Sequence, residues 1–381
     1  MKILFFSAIF GSPTTTFIRR ETEYFNTICP TKFLCIKTYP KVIIPDYVEV
    51  IPFKGNKIRE KINWWLWQGD WFCSFKNKIY AKKINKFITE FNPDIIHCHF
   101  GYEALMLLDN MDEFEKKKFI VHFHGYDATA MTRKKSYVQK LKKYLSKPNV
   151  FTISCNAFFI KKLSKELAIP ISNPFVLKYG IDTKKLFFPA DENKLNEEII
   201  LLQVSSLFKK KGHIYTIQAF KKLISDNKYE HLKLFFTGSG NQKIKLLALV
   251  KELGLENKVV FLGTLPPKQV AEYLSKATVF LHHSITTPLG DMEGIPNSIM
   301  EAMAMKLPIV STLHSGIPEL VEDGVNGYLV KEKDIDNYVL RIKDALKMGK
   351  LNRNREKILS EYSVEKHNAL LTEIYEKCIK S

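Results

Sequence analysis

Short apolar runs that end in glycine-containing or polar loops recur along this 381-residue chain, and they constrain its fold more than any other feature. Runs of this kind, each followed by a helical stretch, predict the buried strands of parallel sheets in an α/β fold. The predicted strands lie within residues 2–9, 92–101, 118–127, 149–154, 198–206, 232–240, 258–265 and 278–282. A chain of this length is expected to form two such domains.

The most informative single stretch covers residues 290–304, where Glu293 and Glu301 stand eight positions apart. Its composition predicts a loop that leads into a helix. Pro296 suits the first helical position, because a missing N–H costs nothing there. The apolar residues 299–305 indicate a helix that is buried on most sides. Glu293 is therefore expected on the loop, and Glu301 about a turn and a half inside the helix.

These two carboxylates point to a ligand with both charge and hydroxyl groups. A carboxylate in an apolar helix needs a partner, because burying an unpaired charge is costly. The helix start directs backbone N–H groups at one place, which favours an anion. A nucleotide sugar fits, with its diphosphate at the amides and its hydroxyls on Glu293 and Glu301. An exposed helix with a solvated Glu explains the spacing as well, so the spacing alone does not decide.

The wider segment from Phe280 to Val330 continues the pattern with residues 302–312 and with Ser315-Gly-Ile-Pro-Glu-Leu-Val. This segment closely resembles the retaining glycosyltransferases of family 4, which carry a Glu-x7-Glu motif on a GT-B fold. The resemblance implies two Rossmann-like, doubly wound domains that face each other across a cleft. Residues 1–190 would form the acceptor-side domain and residues 191–360 the nucleotide-sugar-binding domain. Residues 361–381 would form a helix that crosses back to the first domain.

Further motifs refine the resemblance. The string Thr14-Thr-Thr-Phe-Ile, which follows Gly11, is similar to the polysaccharide-assembly branch of the family, the colanic-acid and amylovoran type. The resemblance implies catalytic roles for His124, Lys211 and Glu293. His124 would lie beside the donor sugar, Lys211 would stabilise the charge on the leaving diphosphate, and Glu293 would hold sugar hydroxyls.

The resemblance also implies a set of donor-binding residues, with Glu301 on the ribose hydroxyls. The set comprises Gly11, Asp127, Ser206, Lys211, Gly238, Gly240, Gly263, Glu293, Gly294, Ile295, Pro296 and Glu301. Two positions depart from the family pattern. Ser206 stands where the family has an Arg, and Lys209 or Lys210 would have to compensate. Lys306 replaces a Gly at a helix end, which predicts the loss of a left-handed cap there.

Two His-x-His pairs lie on predicted strands, where residues two apart share a face. Four imidazoles suit a metal site. No carboxylate–histidine helix motif accompanies them, and GT-B enzymes need no metal, so we expect neither a metal nor another cofactor. His97, His99 and His122 are predicted to be structural, with His99 an option for the acceptor side.

The charge of the chain is concentrated in its first half. Residues 1–190 carry 31 basic and 16 acidic side chains, whereas residues 191–381 carry 27 and 24. The imbalance predicts an anionic partner for the N-terminal domain. We find no nucleic-acid-binding motif and expect no nucleic acid as partner. An anionic membrane surface, or a lipid-diphosphate acceptor on it, explains the charge equally well.

Residues 54–87 contain all four tryptophans among many lysines. This composition suits a helix pair in a lipid headgroup layer, and it equally suits an amphipathic pair packed on the domain core. The first residues indicate a buried strand and no secretory signal, and the cysteines show no paired spacing. The predicted location is therefore the cytoplasm, peripherally on the inner face of the plasma membrane.

The predicted function is metal-independent transfer of a hexose, with retention, from a nucleotide-diphosphate sugar to a glycan or lipid-linked glycan. Such a reaction belongs to the synthesis of surface polysaccharide or lipopolysaccharide. Two alternatives remain open. One is a hydrolase or epimerase that acts on a nucleotide sugar without an acceptor. The other is a non-catalytic basic membrane or polyanion adaptor that has lost activity through Ser206.

Overall fold

A computed structural model describes residues 1–12, 15–52, 77–189 and 198–381. These residues divide into two compact units. The N-terminal unit consists of residues 1–178 and 368–381, and the C-terminal unit consists of residues 179–367. The polar residues 189–196 are predicted from the sequence to be the linker between the domains. All of them except Pro189 lie outside the described residues, as does the greater part of the tryptophan-rich segment.

The N-terminal unit is built on a seven-stranded parallel sheet with the strand order β5-β3-β1-β6-β7-β8-β9. The strands are β1 (Ile3–Phe6), β3 (Thr31–Cys35), β5 (Val48–Val50), β6 (Ile95–His99), β7 (Lys118–Phe123), β8 (Val150–Ser154) and β9 (Pro174–Val176). A separate parallel pair is formed by β2 (Ile9–Phe10) and β4 (Lys37–Thr38). The predictions of parallel strands within residues 92–101, 118–127 and 149–154 are therefore confirmed.

The single strand predicted over residues 2–9 is wrong, because β1 and β2 belong to different sheets. The break lies at Ser7 and Ala8. The backbone N–H of Ala8 donates to the Glu103 carboxylate (2.6 Å), and the Ser7 hydroxyl donates to the same carboxylate oxygen (2.8 Å). A buried side chain thus takes the amide that a continuous strand would have used in its ladder.

Two helices of this unit, residues 78–91 and 157–167, begin at a side-chain cap. Asn77 accepts from the amides of Ile79 and Tyr80, and Asn156 accepts from the amide of Phe159. The helices are α1 (Thr16–Ile28), α2 (Lys78–Phe91), α3 (Gly101–Leu108), α4 (Lys135–Leu145) and α5 (Ala157–Leu167), with short 3-10 turns at Phe114–Lys116, Tyr126–Ala128 and Ala130–Arg133.

The core of the N-terminal unit includes residues from the far end of the chain. Side chains of β1, β3, β6 and α1 pack together with Leu371, Ile374, Tyr375 and Cys378. These four residues lie on the last helix, α13 (Val364–Lys380), which spans the residues predicted for the final helix. Their spacing of three to four residues places them on one face of that helix.

The C-terminal unit contains a six-stranded parallel sheet with the strand order β12-β11-β10-β13-β14-β15. The strands are β10 (Ile200–Val204), β11 (Lys233–Thr237), β12 (Val259–Phe261), β13 (Val279–His282), β14 (Ile309–Thr312) and β15 (Gly327–Val330). The helices are α6 (His213–Ile224), α7 (Lys243–Glu252), α8 (Pro267–Lys276), α9 (Asn297–Ala304), α10 (Ile317–Leu320), α11 (Ile335–Ala345) and α12 (Asn352–Glu361), with 3-10 turns at Lys209–Lys211 and Asn227–Tyr229. The sequence predicts that a helix begins at about His213, after the loop that follows β10, and α6 confirms that start.

The core of this unit forms where the central strands meet α6 and α11. Leu201, Leu234 and Val279 are fully buried against Phe220 and Ile342. Strands that are apolar on both faces and helices that are apolar on one face account for this layered packing. Among the described residues, no helix combines the length and the apolar content needed to span a bilayer.

Candidate active site

The order of the C-terminal strands determines which loops meet. β10 lies between β11 and β13, so the chain leaves β10 in one direction for β11 and β12 and then returns to the other side for β13. The loops after β10 and β13 therefore leave the sheet side by side, at the point where ligands bind in doubly wound folds. The amide of Ile285, after β13, donates to the carbonyl of Lys210, after β10 (2.9 Å), and thereby joins the two loops.

Lys211 and Glu293 meet at this point. The Nζ of Lys211 lies 2.6 Å from Oε2 of Glu293. The Nζ of Lys210 lies 3.1 Å from Oδ2 of Asp291 and 3.5 Å from Oε1 of Glu293. Glu293 is only 8% exposed, so its charge is compensated by two ammonium groups. Lys210, and not the exposed Lys209, is thus the second cation at Glu293.

The electrostatics of the cluster follow from these contacts. Burial alone would raise the pKa of the Glu293 carboxyl, but Lys211 and Lys210 outweigh burial and hold that pKa well below its usual range. Burial lowers the pKa of Lys210, whereas Glu293 and Asp291 together raise it by more. Burial, together with the neighbouring Glu293, raises the pKa of Asp291, although Lys210 lowers it. Glu293 is therefore the more strongly ionised of the two carboxyls, because both lysines contact it.

The two oxygens of Glu293 differ in their contacts. Oε2 accepts the hydrogen bond from Lys211, whereas Oε1 is buried, lies 3.5 Å from Nζ of Lys210 and accepts no hydrogen bond in the part of the chain that the structure describes. Buried carboxylate oxygens normally accept hydrogen bonds, so such an oxygen needs an explanation. A ligand hydroxyl at this place would satisfy it.

The helix after Glu293 is α9. Glu293 lies on the loop and Glu301 is the fifth residue of the helix, half-buried, as predicted. The prediction that Pro296 is the first helical residue is wrong by one position, since Pro296 is the N-cap with extended backbone. Gly294 is half-buried, and Ile295 and Pro296 are buried. The N-terminus of α9 has no side-chain cap, so its first amides are left for another acceptor.

The predicted loss of a left-handed cap at Lys306 is wrong. Lys306 itself adopts the left-handed conformation, with φ +66°. The amide of Lys306 donates to the carbonyl of Met303 (2.9 Å) and that of Leu307 to the carbonyl of Ala302 (3.0 Å). These bonds close the end of α9 in the usual way, and the lysine accepts the steric strain that glycine would avoid.

Three glycines and Ser206 surround the same edge of the sheet. A Cβ on Gly238 would lie 2.1 Å from the carbonyl oxygen of Ser205, and one on Gly240 would lie 2.5 Å from that of Leu207. Their missing side chains thus allow the loops after β10 and β11 to pack together. Gly263 has φ +72° with open space around its Cα, and its carbonyl accepts from the amide of Gly238 (2.7 Å).

In the N-terminal unit, Asp127 organises the loop that carries His124. Its carboxylate is fully buried and accepts from the amides of Gly101 (2.9 Å), His124 (3.0 Å) and Gly125 (2.9 Å). Burial raises the pKa of Asp127, although these amides lower it. His124 is half-buried. Asp127 therefore supports the loop from behind, whereas His124 and the exposed Tyr126 reach the surface of the unit.

Gly11 has a conformational reason to be glycine. Its φ is +80°, and a Cβ there would lie 2.7 Å from the side chain of Val42. The backbone turns sharply after β2 at this position.

The buried histidines form one cluster with Glu21. The side-chain donor atoms of His97, His99, His122 and Glu21 lie within 4.8 Å of one another. His97 contacts the hydroxyl of Tyr375 (2.6 Å) and the ring of His122 (3.2 Å), and its ring stacks on that of His99 with centroids 4.5 Å apart. Nε2 of His99 lies 3.5 Å from Oε2 of Glu21. Contacts among these side chains and with Tyr375 therefore hold the cluster together.

Three carboxylate and imidazole groups near the ends of the strands escaped the sequence analysis. Glu103 lies beside β1 and β6, where the order of the N-terminal strands reverses. His314 and Glu332 follow β14 and β15 and contact each other (2.7 Å). Their position directly after apolar strands was a usable signal for His314 and Glu332. Without the strand order, however, nothing in the sequence brings them to Glu293.

Comparison with known proteins gives a consistent result. Residues 184–361 match the family model described as Glycosyl transferases group 1. Over 250 residues the chain is 33% identical to the amylovoran biosynthesis glycosyltransferase AmsK of Erwinia amylovora, a match that covers 64% of this chain and only 59% of AmsK. Over 334 residues it is 26% identical to the N-acetyl-alpha-D-glucosaminyl L-malate synthase of Bacillus anthracis, covering 83% and 84% of the two chains.

The fold is similar to that of Anabaena HepE, whose structure was solved in complex with UDP. The TM-score is 0.73 at 18% sequence identity, over 99% of this chain and 100% of HepE. At this identity the likeness concerns the fold alone. It confirms the predicted fold class, GT-B with two Rossmann-like domains.

Proposed function

Because residues 184–361 form a domain of the glycosyl transferases group 1 family, we propose that this protein is a retaining, metal-independent glycosyltransferase. It transfers a hexose from a nucleotide-diphosphate sugar to a glycan or lipid-linked glycan acceptor. Its relative AmsK is named for amylovoran biosynthesis, which supports a place in the synthesis of a surface polysaccharide or lipopolysaccharide. UDP, the nucleotide bound to HepE, is the first donor nucleotide to test.

The observation that carries this proposal is the Lys211–Glu293 pair at the reversal point of the C-terminal sheet. The pair holds a cation and an anion 2.6 Å apart, nearly buried, with Oε1 of Glu293 unsatisfied among the described residues. A sugar diphosphate matches both halves. Its phosphates compete for the ammonium groups of Lys211 and Lys210, and its sugar hydroxyls donate to Glu293. The amides of Gly294 and Ile295 and the start of α9 lie beside them, and Glu301 takes the ribose hydroxyls.

In the transfer step, the bond between the anomeric carbon and the diphosphate oxygen breaks while the acceptor oxygen bonds to that carbon from the same face. The acceptor proton passes to an oxygen of the leaving phosphate. The leaving group thus acts as the base, and the nucleoside diphosphate departs with that proton. Lys211 stabilises the negative charge that grows on this group. Glu293 fixes the sugar, and the protein acts mainly by positioning and by charge.

The glycines and the N-terminal residues complete the proposal. Ser206, Gly238, Gly240 and Gly263 form the loop surface at the phosphates and the base. His124 acts on the donor sugar, and Gly11 and Asp127 shape the loops of the N-terminal unit.

Donor binding tests the proposal directly. Titrating the wild type with UDP-, GDP- and ADP-sugars should raise the melting temperature with one nucleotide class. Glu301→Ala and Lys211→Met should each lower the affinity for that donor by roughly 10- to 100-fold, because each removes a charged hydrogen-bonding partner. The matched controls are Glu252→Ala, on the exposed end of α7, and Lys209→Met, on the exposed side of the same turn as Lys211. Equal affinity in variants and controls would remove the site from the proposal.

Turnover separates the proposal from its alternatives. Release of nucleoside diphosphate should require an acceptor, and the anomeric configuration of donor and product should agree by NMR. Full-rate release from the donor alone would identify a hydrolase. Absence of donor binding, combined with salt-sensitive binding to polyanions, would identify an adaptor. His124→Ala should lower turnover by about 100-fold, and unchanged turnover would remove His124 from the mechanism.

The N-terminal unit supports a second part of the proposal, peripheral binding to an anionic membrane on the cytoplasmic side. On α2 the side chains of Lys82, Lys83 and Lys86 are exposed, and Ile79 beside them is 65% exposed. The opposite face of the helix, with Tyr80 and Ile84, is buried in the unit. Basic residues near an anionic surface contribute about 1 kcal/mol each.

Vesicle co-sedimentation tests this part. The protein should bind vesicles that contain anionic lipid and should bind zwitterionic vesicles weakly. Replacing Lys82, Lys83 and Lys86 by Gln should weaken binding, whereas the same change at Lys347, exposed in the C-terminal unit, should not. Equal binding of both variants would exclude α2 as the contact.

A further inference from the structure

His314 and Glu332 hold the loop that carries Glu293. This loop, residues 286–293, is the central part of the connection from β13 to α9. Its two ends lead to the same carboxylate. At the first end, the amide and the hydroxyl of Thr286 each donate to Glu332 (2.9 Å). At the last end, the amide of Glu293 donates to Nε2 of His314 (3.0 Å), and Nδ1 of His314 lies 2.7 Å from Oε1 of Glu332.

The protonation state of His314 follows from its partners. A backbone amide can only donate, so Nε2 of His314 is the acceptor and carries no proton. The proton therefore resides on Nδ1 and is donated to Glu332, as in other carboxylate–imidazole pairs that fix one tautomer. The His314 side chain is fully buried, and that of Glu332 is mostly covered. Burial raises the pKa of Glu332, but hydrogen bonds from His314 and Thr286 outweigh it and bring the pKa to about 2.

The rest of the loop has its own turn. The amide of Gly290 donates to the carbonyl of Thr287 (2.8 Å), the amide of Thr287 donates to the carbonyl of Asp291 (3.0 Å), and the amide of Asp291 donates to the hydroxyl of Thr287 (3.0 Å). The turn is thus internally rigid, and Glu332 with His314 anchors both of its ends to β14 and β15.

We propose that His314 and Glu332 are positioning residues, which set the backbone of Glu293 and thereby the place of its carboxylate for the donor sugar. This inference rests on the proposed function. Among the described residues, the hydrogen bonds of these two side chains go to Thr286, to Glu293 and to each other, and none goes to Lys211. A displacement of about 1 Å in a positioned group lowers turnover by as much as about 100-fold. The loss should therefore fall on kcat, while binding of the nucleoside diphosphate is retained.

Variants of His314 distinguish positioning from stability. His314→Leu should lower kcat by roughly 10- to 100-fold, with the Kd for UDP changed by less than about three-fold. His314→Gln keeps an acceptor for the Glu293 amide and should recover part of kcat. Glu332→Ala should resemble His314→Leu. Asn354→Leu is the matched control, because Asn354 is a buried side chain that binds two backbone carbonyls of this unit (2.7 and 3.0 Å) away from the loop. It should lose stability and retain kcat.

Two measurements on the loop itself do not depend on activity. The ¹⁵N signals of the His314 ring should show a protonated Nδ1 and an unprotonated Nε2 in the wild type. Hydrogen exchange of the Glu293 amide should be slow in the wild type and Asn354→Leu, and faster in His314→Leu. Slow exchange in every variant would overturn the inference, and so would an unchanged kcat in His314→Leu. So would equal kcat losses in His314→Leu and Asn354→Leu.

The proposed function fails in a different way. In that case the wild type turns over no sugar nucleotide and Lys211→Met binds UDP like the wild type, whatever the His314 variants do. The positioning inference would then be overturned for sugar transfer, and amide exchange would still decide whether His314 holds the loop.

Discussion

Replacing Lys211 by Met should leave the buried carboxylate of Glu293 without its nearest ion-pair partner and thereby destabilise the C-terminal unit. The variant keeps the volume of the side chain and removes its ammonium group, so the Glu293 carboxylate retains only Lys210, whose Nζ is 3.5 Å away. Removing one partner of a buried pair costs about 3–5 kcal/mol. Because Lys210 remains, we expect the free energy of unfolding of the C-terminal unit to fall by about 3 kcal/mol at pH 7. With a urea slope near 2 kcal/mol per M, the midpoint should fall by about 1.5 M.

The pH dependence gives the same prediction a second test. In the wild type the lowered pKa of Glu293 contributes stability that is complete above the unfolded pKa, near 4.3, and is lost as the pH falls through the folded value. In Lys211→Met burial is no longer offset to the same extent, so the folded pKa rises. The difference in unfolding free energy should therefore be largest at neutral pH and should narrow as the pH falls below about 4.

The assay is urea unfolding followed by far-UV circular dichroism at pH 7 and pH 3.5. Lys209→Met is the control, because Lys209 lies exposed on the same 3-10 turn, and it should unfold like the wild type. A free energy of unfolding of Lys211→Met within about 0.5 kcal/mol of that of the control at pH 7 would refute the predicted loss. A difference that is independent of pH would refute the electrostatic cause.

Three further changes test the backbone and the second buried carboxyl. Burial raises the pKa of Glu103 to about 7, although Ser7 and Ala8 lower it. The free energy of unfolding of the wild type should therefore fall by about 3 kcal/mol as the pH rises from about 4.5 to 7. Glu103→Gln should remove this decrease, as measured by urea unfolding at pH 5 and 8. Gly212→Ala should abolish folding or lower the melting temperature strongly, because its Cβ would lie 1.7 Å from a backbone oxygen, whereas Gly254→Ala, at a similar φ in open space, should cost about 1 kcal/mol. Lys306→Gly should raise the melting temperature, because it removes the steric strain of a lysine in the left-handed conformation, about 1 kcal/mol. An unchanged or lower melting temperature would contradict that account.

The strands were predictable because they are buried on both faces. A strand such as β7 or β13 has no polar face to alternate, so its sequence is a short apolar run that ends where the chain meets solvent. The helix start near His213 and the last helix were predictable from similar local signals. Local signals also explain the error over residues 2–9, where an apolar sequence continues although Glu103, far along the chain, takes the amide of Ala8.

The site was predictable only in part. Lys211 and Glu293 stand in motifs from which both were predicted to bind the donor. Their contact at 2.6 Å, however, depends on the strand order, which no single strand encodes. His314 and Glu332 illustrate the same limit. Each follows an ordinary apolar strand, and their common role emerges only when β13, β14 and β15 lie side by side. The prediction at Lys306 failed for another reason, because the helix end keeps its left-handed cap with a strained lysine in place of glycine.

The four core residues contributed by α13 bear on the order in which this protein matures. On the ribosome, the N-terminal sheet is synthesised first. Its last strand ends at Val176, and the four core residues of α13 follow roughly 200 residues later: Leu371, Ile374, Tyr375 and Cys378. At ordinary translation speeds this corresponds to a wait of about 10–40 s. During that wait an apolar face stays uncovered and open to chaperones, while the later unit can fold in one pass. A fragment that stops at residue 178 would keep this face uncovered permanently.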